Sequence, residues 1–439
     1  MSPGLTAFLI LGLAILFLAL EVPLVFALGG MAVGGLFLLK GSYALPIIYL
    51  NTVDKPKDFN YLTIPLFIYM AYMLDRSGVA EDLYTAIQYW SGRFAGSLAI
   101  GTVFISTVLA AMTGLSSASI ITMGVTVLPA MLERGYSKDL TMGCIAAGST
   151  LGILIPPSVL GLLYATQNSI SPGRIFLAGV IPGLIIAIIF IIYIAVICYL
   201  NPSLGPPLAS TEKVTQKVKL KSLGSVVAPT VLVVMVLGSI FAGIATPTES
   251  ASVGVLGAFG VLALNRKLTW KNLREINYNT LKLTLMIMWV LVGASAFRAL
   301  CVVSDAYKVI QSVLMSVPFG GWGTMLLIQL ILVVIGCFLD EFGILVITMP
   351  VIVPIIRALH FDPVWFGVLF IINMQIAELT PPIGLNLFYM QAVAPNGTKM
   401  EDIYRAVAPF ILLLLLALVI VMLFPETATW LPELIIRKR

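Results

Sequence analysis

Apolar runs of about twenty residues recur along this chain from one end to the other, and they fix what it can fold into. That is the helical length needed to cross roughly 30 Å of hydrocarbon. Of 439 residues, 60% are hydrophobic and 10% charged, against about 25% charged in an ordinary soluble domain. So little charge cannot cover a water-facing surface, and no polar stretch is long enough for a separate soluble domain. The net charge of +5 is spread over loops and suits cytoplasmic flanks, not nucleic acid. Cys144, Cys198, Cys301 and Cys337 lie inside apolar segments without disulfide or metal spacing and read as small core residues. Met1-Ser2-Pro3 lacks the basic region and cleavage site of a signal peptide, so the first apolar run is expected to be a retained helix.

The chain repeats itself. Pro156-Pro157 and Pro381-Pro382 are 225 residues apart, as are Pro129 and Pro354, while Pro23 pairs with Pro247 at 224 and Pro182 with Pro409 at 227. Two homologous halves are expected, 1–200 and 225–439, joined by a polar cytoplasmic linker at 201–224. Expected crossings lie near 5–20, 23–40, 61–75, 139–165 and 173–200, then 225–243, 247–264, 279–303, 364–390 and 405–425. The segments 100–132 and 324–356 differ. Each has a polar or Gly-rich middle between apolar arms of 12 to 15 residues, too short to span alone and suited to re-entrant helical hairpins.

An odd number of crossings per half inverts the second half relative to the first, the usual construction of secondary transporters with a site at the midplane. The fold class expected is therefore an all-α polytopic membrane protein of two inverted-topology repeats, with about 10–11 transmembrane helices and two re-entrant hairpins. Lys213, Lys217, Lys219 and Lys221 in the linker, and Arg266, Lys267, Lys271 and Arg274 in the next loop, place both on the cytoplasmic side. The C-terminal Arg437-Lys438-Arg439 would then fall outside, which counts mildly against this arrangement.

Regular helix cannot continue through Gly152-Ile153-Leu154-Ile155-Pro156-Pro157, because each proline lacks an N–H and its ring clashes with the carbonyl four residues back. The carbonyls thus freed must be satisfied by something other than lipid. A bound Na⁺, which takes carbonyl and hydroxyl oxygens, is one such partner. Thr113-Gly114-Leu115-Ser116-Ser117-Ala118-Ser119 at the first hairpin tip can face this break. Ile376-Ala377-Glu378-Leu379-Thr380-Pro381-Pro382-Ile383-Gly384-Leu385-Asn386 repeats the arrangement opposite Gly336 to Glu341. Either break alone reads as a packing kink; two at matched positions, each with a hairpin, point to ion sites.

Arg298 interrupts an apolar run, and a cation at that depth suggests either a carboxylate substrate or a pair with Asp305 or Glu378. With Arg298, the polar residues Ser117, Glu378 and Asn386 are candidate substrate contacts. Glu21 and Glu249 sit at equivalent positions and read as helix-start caps. Asp340 and Glu341 can assist a cation or face water. His360, the only histidine, reads as a loop residue. Nucleophile, zinc and phosphate-loop motifs are absent, which disfavours an enzyme or an ATP-driven pump. The stretch 75–96 reads as an amphipathic interfacial arm.

Residues 152–158, Phe176-Leu177-Ala178-Gly179-Val180-Ile181-Pro182-Gly183 and Thr380-Pro381-Pro382-Ile383-Gly384-Leu385-Asn386-Leu387-Phe388 resemble the large permease subunit of tripartite ATP-independent periplasmic (TRAP) transporters, and the resemblance runs through essentially the whole chain. It implies a multi-pass protein of the bacterial inner membrane, elevator-type alternating access, Na⁺ coupling, a smaller membrane subunit and a periplasmic binding protein. It also implies a first Na⁺ site at Thr113, Ser116, Gly152, Ile155 and Pro157, and a second near Gly336, Leu339, Asp340, Thr380 and Pro382. Arg298 resembles an arginine of the sialic acid carriers, which makes N-acetylneuraminate the first substrate expected, ahead of C4-dicarboxylates. A binding-protein-independent di- or tricarboxylate symporter is the alternative.

Overall fold

A computed structural model describes residues 3–20, 22–53, 57, 59–90, 94–207 and 216–436, and among them the chain is all-helical. The hairpins form at Ser97–Thr113 with Ser116–Glu133, and at Gly320–Gly336 with Glu341–Ala358. The interrupted helices form at Lys138–Thr150 with Val159–Gln167, and at Pro363–Leu379 with Leu385–Val393.

Several lengths differ from expectation. The hairpin arms have 17 and 18 residues in each hairpin, not 12 to 15, because their polar ends stay helical up to the tip. Length therefore does not make them hairpins; the breaks at 114–115 and 337–340, with the two arms of each pair packed on one another, do. By length and composition seven described helices can cross a membrane, or eight counting one bent pair, fewer than the ten or eleven expected. Pro3–Ala19 and Thr63–Asp75 are too short for that count, at 17 and 13 residues, and both interrupted helices are split. The helix Gln216–Phe241 starts inside the expected linker and carries Lys217, Lys219 and Lys221, since nothing in that stretch breaks a helix. Trp270–Val303 likewise runs 34 residues. Ala44–Val53, Ala306–Met315 and Glu426–Ile436 are helices that the apolar runs did not announce. The amphipathic arm spans Val79–Trp90. Glu21, Arg93, Lys213 and Arg437 to Arg439 lie outside the described residues.

Local chemistry explains where the central helices begin. Ser137 caps the first interrupted helix by accepting from the Leu140 N–H at 3.3 Å, and Asp362 caps the second by accepting from Val364 at 2.6 Å. Ser158 restarts the first helix past its prolines by accepting from Gly161 at 2.9 Å. Small residues then let this helix sit deep in the protein. A methyl on Gly143 would fall 2.3 Å from the Ala406 carbonyl oxygen, and one on Gly148 2.8 Å from Ser106 Oγ. Every residue from Leu140 to Ala165 is buried, as is every residue from Val364 to Leu379.

Contacts at the ends set the direction of these helices. The first interrupted helix starts just past the base of the first hairpin. It ends where the Asn168 carbonyl accepts from Arg357, at the base of the second hairpin, at 2.9 Å. Tyr164 Oη donates to the carbonyl of Pro363, where the second interrupted helix begins, at 2.6 Å. At the other end Lys138 meets Asp402 at 3.6 Å, and Gly124 of the first hairpin packs on Val393. The interrupted helices are thus antiparallel, and the hairpins enter from opposite faces with their tips between.

Candidate functional site

The first hairpin tip seats on the first break backbone to backbone. Gly114 turns the chain in the left-handed region (φ 64), and a Cβ there would lie 2.0 Å from the Pro157 carbonyl oxygen. A Cβ on Gly152 would lie 3.1 Å from the Leu115 carbonyl. Only glycine fits both demands at Gly114. Both double-proline peptides, Pro156-Pro157 and Pro381-Pro382, are cis.

Counting carbonyl partners at the first break shows what it leaves over. The Leu151 carbonyl accepts from the N–H groups of Leu154 and Ile155, and that of Ile153 from Ser158 Oγ. The Ile155 and Pro157 carbonyls accept nothing from the described residues. Thr113 Oγ1 donates to the Leu109 carbonyl at 2.9 Å, which leaves its lone pairs as acceptors. The second break repeats this pattern in part: the Thr380 carbonyl, which matches that of Ile155, accepts from the Gly384 N–H at 3.2 Å, and a free carbonyl on the facing tip, that of Leu339, joins that of Pro382. Thr380 Oγ1 donates four residues back, to Ile376, at 2.6 Å, and the Leu339 and Pro382 carbonyls accept nothing from the described residues. Freed carbonyls beside hydroxyl lone pairs are the donor set a hard monovalent cation takes in an interrupted membrane helix. No group of three His, Cys, Asp or Glu side chains suited to a metal occurs among the described residues.

The expected ligands are not all placed alike. Thr113, Gly152 and Pro157 converge at the first tip. Ser116 turns instead toward the other repeat, donating to Glu378 Oε1 at 2.7 Å. Ile155 packs its side chain on Gly183 and offers only its carbonyl. In the second set Gly336 reaches the break through Ala377, whose Cβ a methyl would meet at 2.4 Å. Asp340 spends one carboxylate oxygen capping its own arm at Gly343, at 3.0 Å.

The candidate substrate residues separate. Asn386 Nδ2 donates to Glu378 Oε2 at 3.0 Å, so Glu378 is buried between Ser116 and Asn386. Ser117 lines a cavity of about 530 Å³ with Tyr72, Asp75, Arg76, Thr122 and Tyr389. Its charged lining is Asp75, Arg76 and Lys267: Arg76 pairs with Glu275 at 2.9 Å, and Asp75 accepts from Thr122 at 2.9 Å. Arg298 lines a different cavity, of about 260 Å³, with Arg357 and Ser169. It pairs with neither expected partner. Asp305 binds Lys308 at 2.8 Å, and Glu378 is engaged as described. Glu249 completes a capping box with Thr246 at the start of its helix, as its position suggested.

Two polar residues of the apolar run at 370–379 carry more than the sequence reading gave them. Asn373 Nδ2 donates to the Gln329 carbonyl and side chain at 3.0 and 2.9 Å. Gln375 is fully buried with neither amide atom hydrogen-bonded. Their signal was present as amides where every neighbour is apolar.

Residues 11–427 match the family described as tripartite ATP-independent periplasmic transporter, DctM component. The chain is 31% identical to the C4-dicarboxylate TRAP transporter large permease protein DctM of Vibrio cholerae, over 99% of this chain and 98% of that one. It is 29% identical to the sialic acid TRAP transporter large permease protein SiaM of the same organism, over 86% of this chain and 87% of that one. The YdaH transporter of Alcanivorax borkumensis shares the fold at 14% identity, with a TM-score of 0.62 over 96% of this chain and 98% of that one.

Proposed function

Because the chain belongs to the DctM component family of tripartite ATP-independent periplasmic transporters, a multi-pass inner-membrane transport protein and not an enzyme, we propose that it is the large permease of a Na⁺-driven importer of a small organic acid, a C4-dicarboxylate in the first instance. A smaller membrane subunit and a periplasmic binding protein complete the assembly. The dicarboxylate replaces sialic acid as the first substrate: full-length similarity to a dicarboxylate permease outweighs the single Arg298 match, and Arg298 lies away from the cavity that Ser117 lines.

One observation carries the reading: each helix break leaves the carbonyl of its second proline, Pro157 in one repeat and Pro382 in the other, without a hydrogen bond from the described residues, beside a hairpin tip. Cations held there tie tip to break, and the cavity beside Ser117 takes the anion. The hairpins and interrupted helices then move together as an elevator while the long outer helices stay fixed.

The test is uptake of labelled succinate into proteoliposomes holding this chain and its small subunit, under an inward Na⁺ gradient, with and without a binding protein. Uptake is expected to need both the gradient and the binding protein. Uptake indifferent to Na⁺ overturns the coupling, and transport by this chain alone assigns it to the binding-protein-independent symporters. Transport of N-acetylneuraminate but not succinate returns the substrate to the sialic acid class.

A further inference from the structure

Glu378 is 5% exposed, at the seam where the first hairpin meets the second interrupted helix. Among the described residues no basic side chain forms an ion pair with it. The charged group that acts on it is Glu341, which has the same sign. A buried carboxylate without a counter-charge is costly at any depth in a membrane protein.

The surroundings supply part of a solution. An ionised carboxylate offers about four lone-pair positions. Ser116 and Asn386 each fill one, on different oxygens. The Asn386 amide that donates to Glu378 holds its own Oδ1 without a partner, and Asn386 is 0% exposed. Gln375, three residues before Glu378 and so on the same helical face, is also 0% exposed with its Oε1 unpartnered. The Glu378 carboxylate and the orphaned Asn386 Oδ1 thus share one buried place, and the Gln375 amide, with both Oε1 and Nε2 unpartnered, lies one helical turn before Glu378.

We propose that Glu378, Asn386 Oδ1 and Gln375 Oε1 hold a monovalent cation between the two repeats, a site separate from the carbonyl sites at the two breaks. One carboxylate and neutral oxygens match a single positive charge, and oxygen donors alone suit an alkali ion. A cation here fastens the first hairpin to the second interrupted helix through Ser116, so its arrival and departure bear on whether the repeats can separate. The proposal concerns binding, and stands or falls apart from the uptake experiment above.

The test is Na⁺ binding to the purified chain with its small subunit in detergent, read as radiolabelled ²²Na⁺ stoichiometry and as the rise in melting temperature when sodium chloride replaces choline chloride. Glu378→Gln is expected to bind one Na⁺ fewer and to lose part of the rise. Asn386→Ala, which keeps the carboxylate, is expected to weaken Na⁺ stabilisation on the order of tenfold in concentration. If Glu378→Gln keeps the wild-type stoichiometry and stabilisation, Glu378 is held as a neutral carboxyl and the site does not exist. If only Asn386→Ala folds and it responds to Na⁺ as wild type does, the proposal is equally overturned.

Discussion

The two hairpin-and-break units are built from the same parts and sit in different surroundings. In the first unit every residue from Leu151 to Leu160 is buried, and the facing tip meets the break through main chain on both sides. In the second, Pro382 and Ile383 are exposed, and Phe338 on the facing tip is 59% exposed. The first tip closes through glycine against a carbonyl; in the second unit Gly336 meets the methyl of Ala377, and Asn373 donates to Gln329 farther along the arm. A sealed and a looser form of like parts in one structure is the asymmetry that the proposed alternating access would use.

Replacing Gly114 by alanine is the severest challenge to the sealed unit. The new Cβ meets the Pro157 carbonyl at 2.0 Å and the residue must keep φ 64. Left-handed backbone alone costs about 1–2 kcal/mol and overpacking about 1–3 more. Na⁺-driven uptake should fall to background while the protein loses several degrees of melting temperature. Wild-type uptake in that variant would show that the tip is loosely seated and would erase the contrast between the units.

Gly336→Ala is expected to be milder, about 1–3 kcal/mol, because the clash is with a side-chain methyl. Adding Ala377→Gly removes that methyl and should restore most of the loss in a double-mutant cycle of melting temperatures. No coupling between the two positions would mean that Gly336 is not the contact holding the second tip.

The smallest effect expected is at the cap of the second tip. Asp340 accepts from Gly343, whereas Leu115 at the matching place in the first hairpin has no side chain that caps. Asp340→Ala should cost about 1 kcal/mol and Asp340→Asn much less. An equal loss from both would assign Asp340 a role that needs its charge, at the second cation site.

Much of this was legible locally. The 225-residue proline offset and the loss of N–H groups at each double proline place both breaks within a residue or two of where they form. Hairpin boundaries followed from polar middles between apolar arms, though the arms proved longer. The helices Ala44–Val53 and Ala306–Met315 escaped notice because they are ten residues each, too short to register as an apolar span. At the breaks, the motifs place Thr113 on the first hairpin tip and Ile155, Pro157 and Thr380 where helix is interrupted, as the structure has them. That Arg298 and Ser117 line different cavities was not legible, because position within an apolar run gives depth and not which cavity a side chain lines.

The sequence by itself determined that this chain is a helical membrane protein of two like halves, with two places where helix cannot continue. Those are properties of short segments: apolar length, and the geometry of proline and glycine. Only the tertiary structure decided that Ser116 binds Glu378 across 262 residues, that the Gly114 turn closes on Pro157, and that the cavity beside Ser117 and Arg298 lie apart. These contacts join segments whose separation along the chain carries no periodicity, so they exist only once the antiparallel interrupted helices have brought the two halves together.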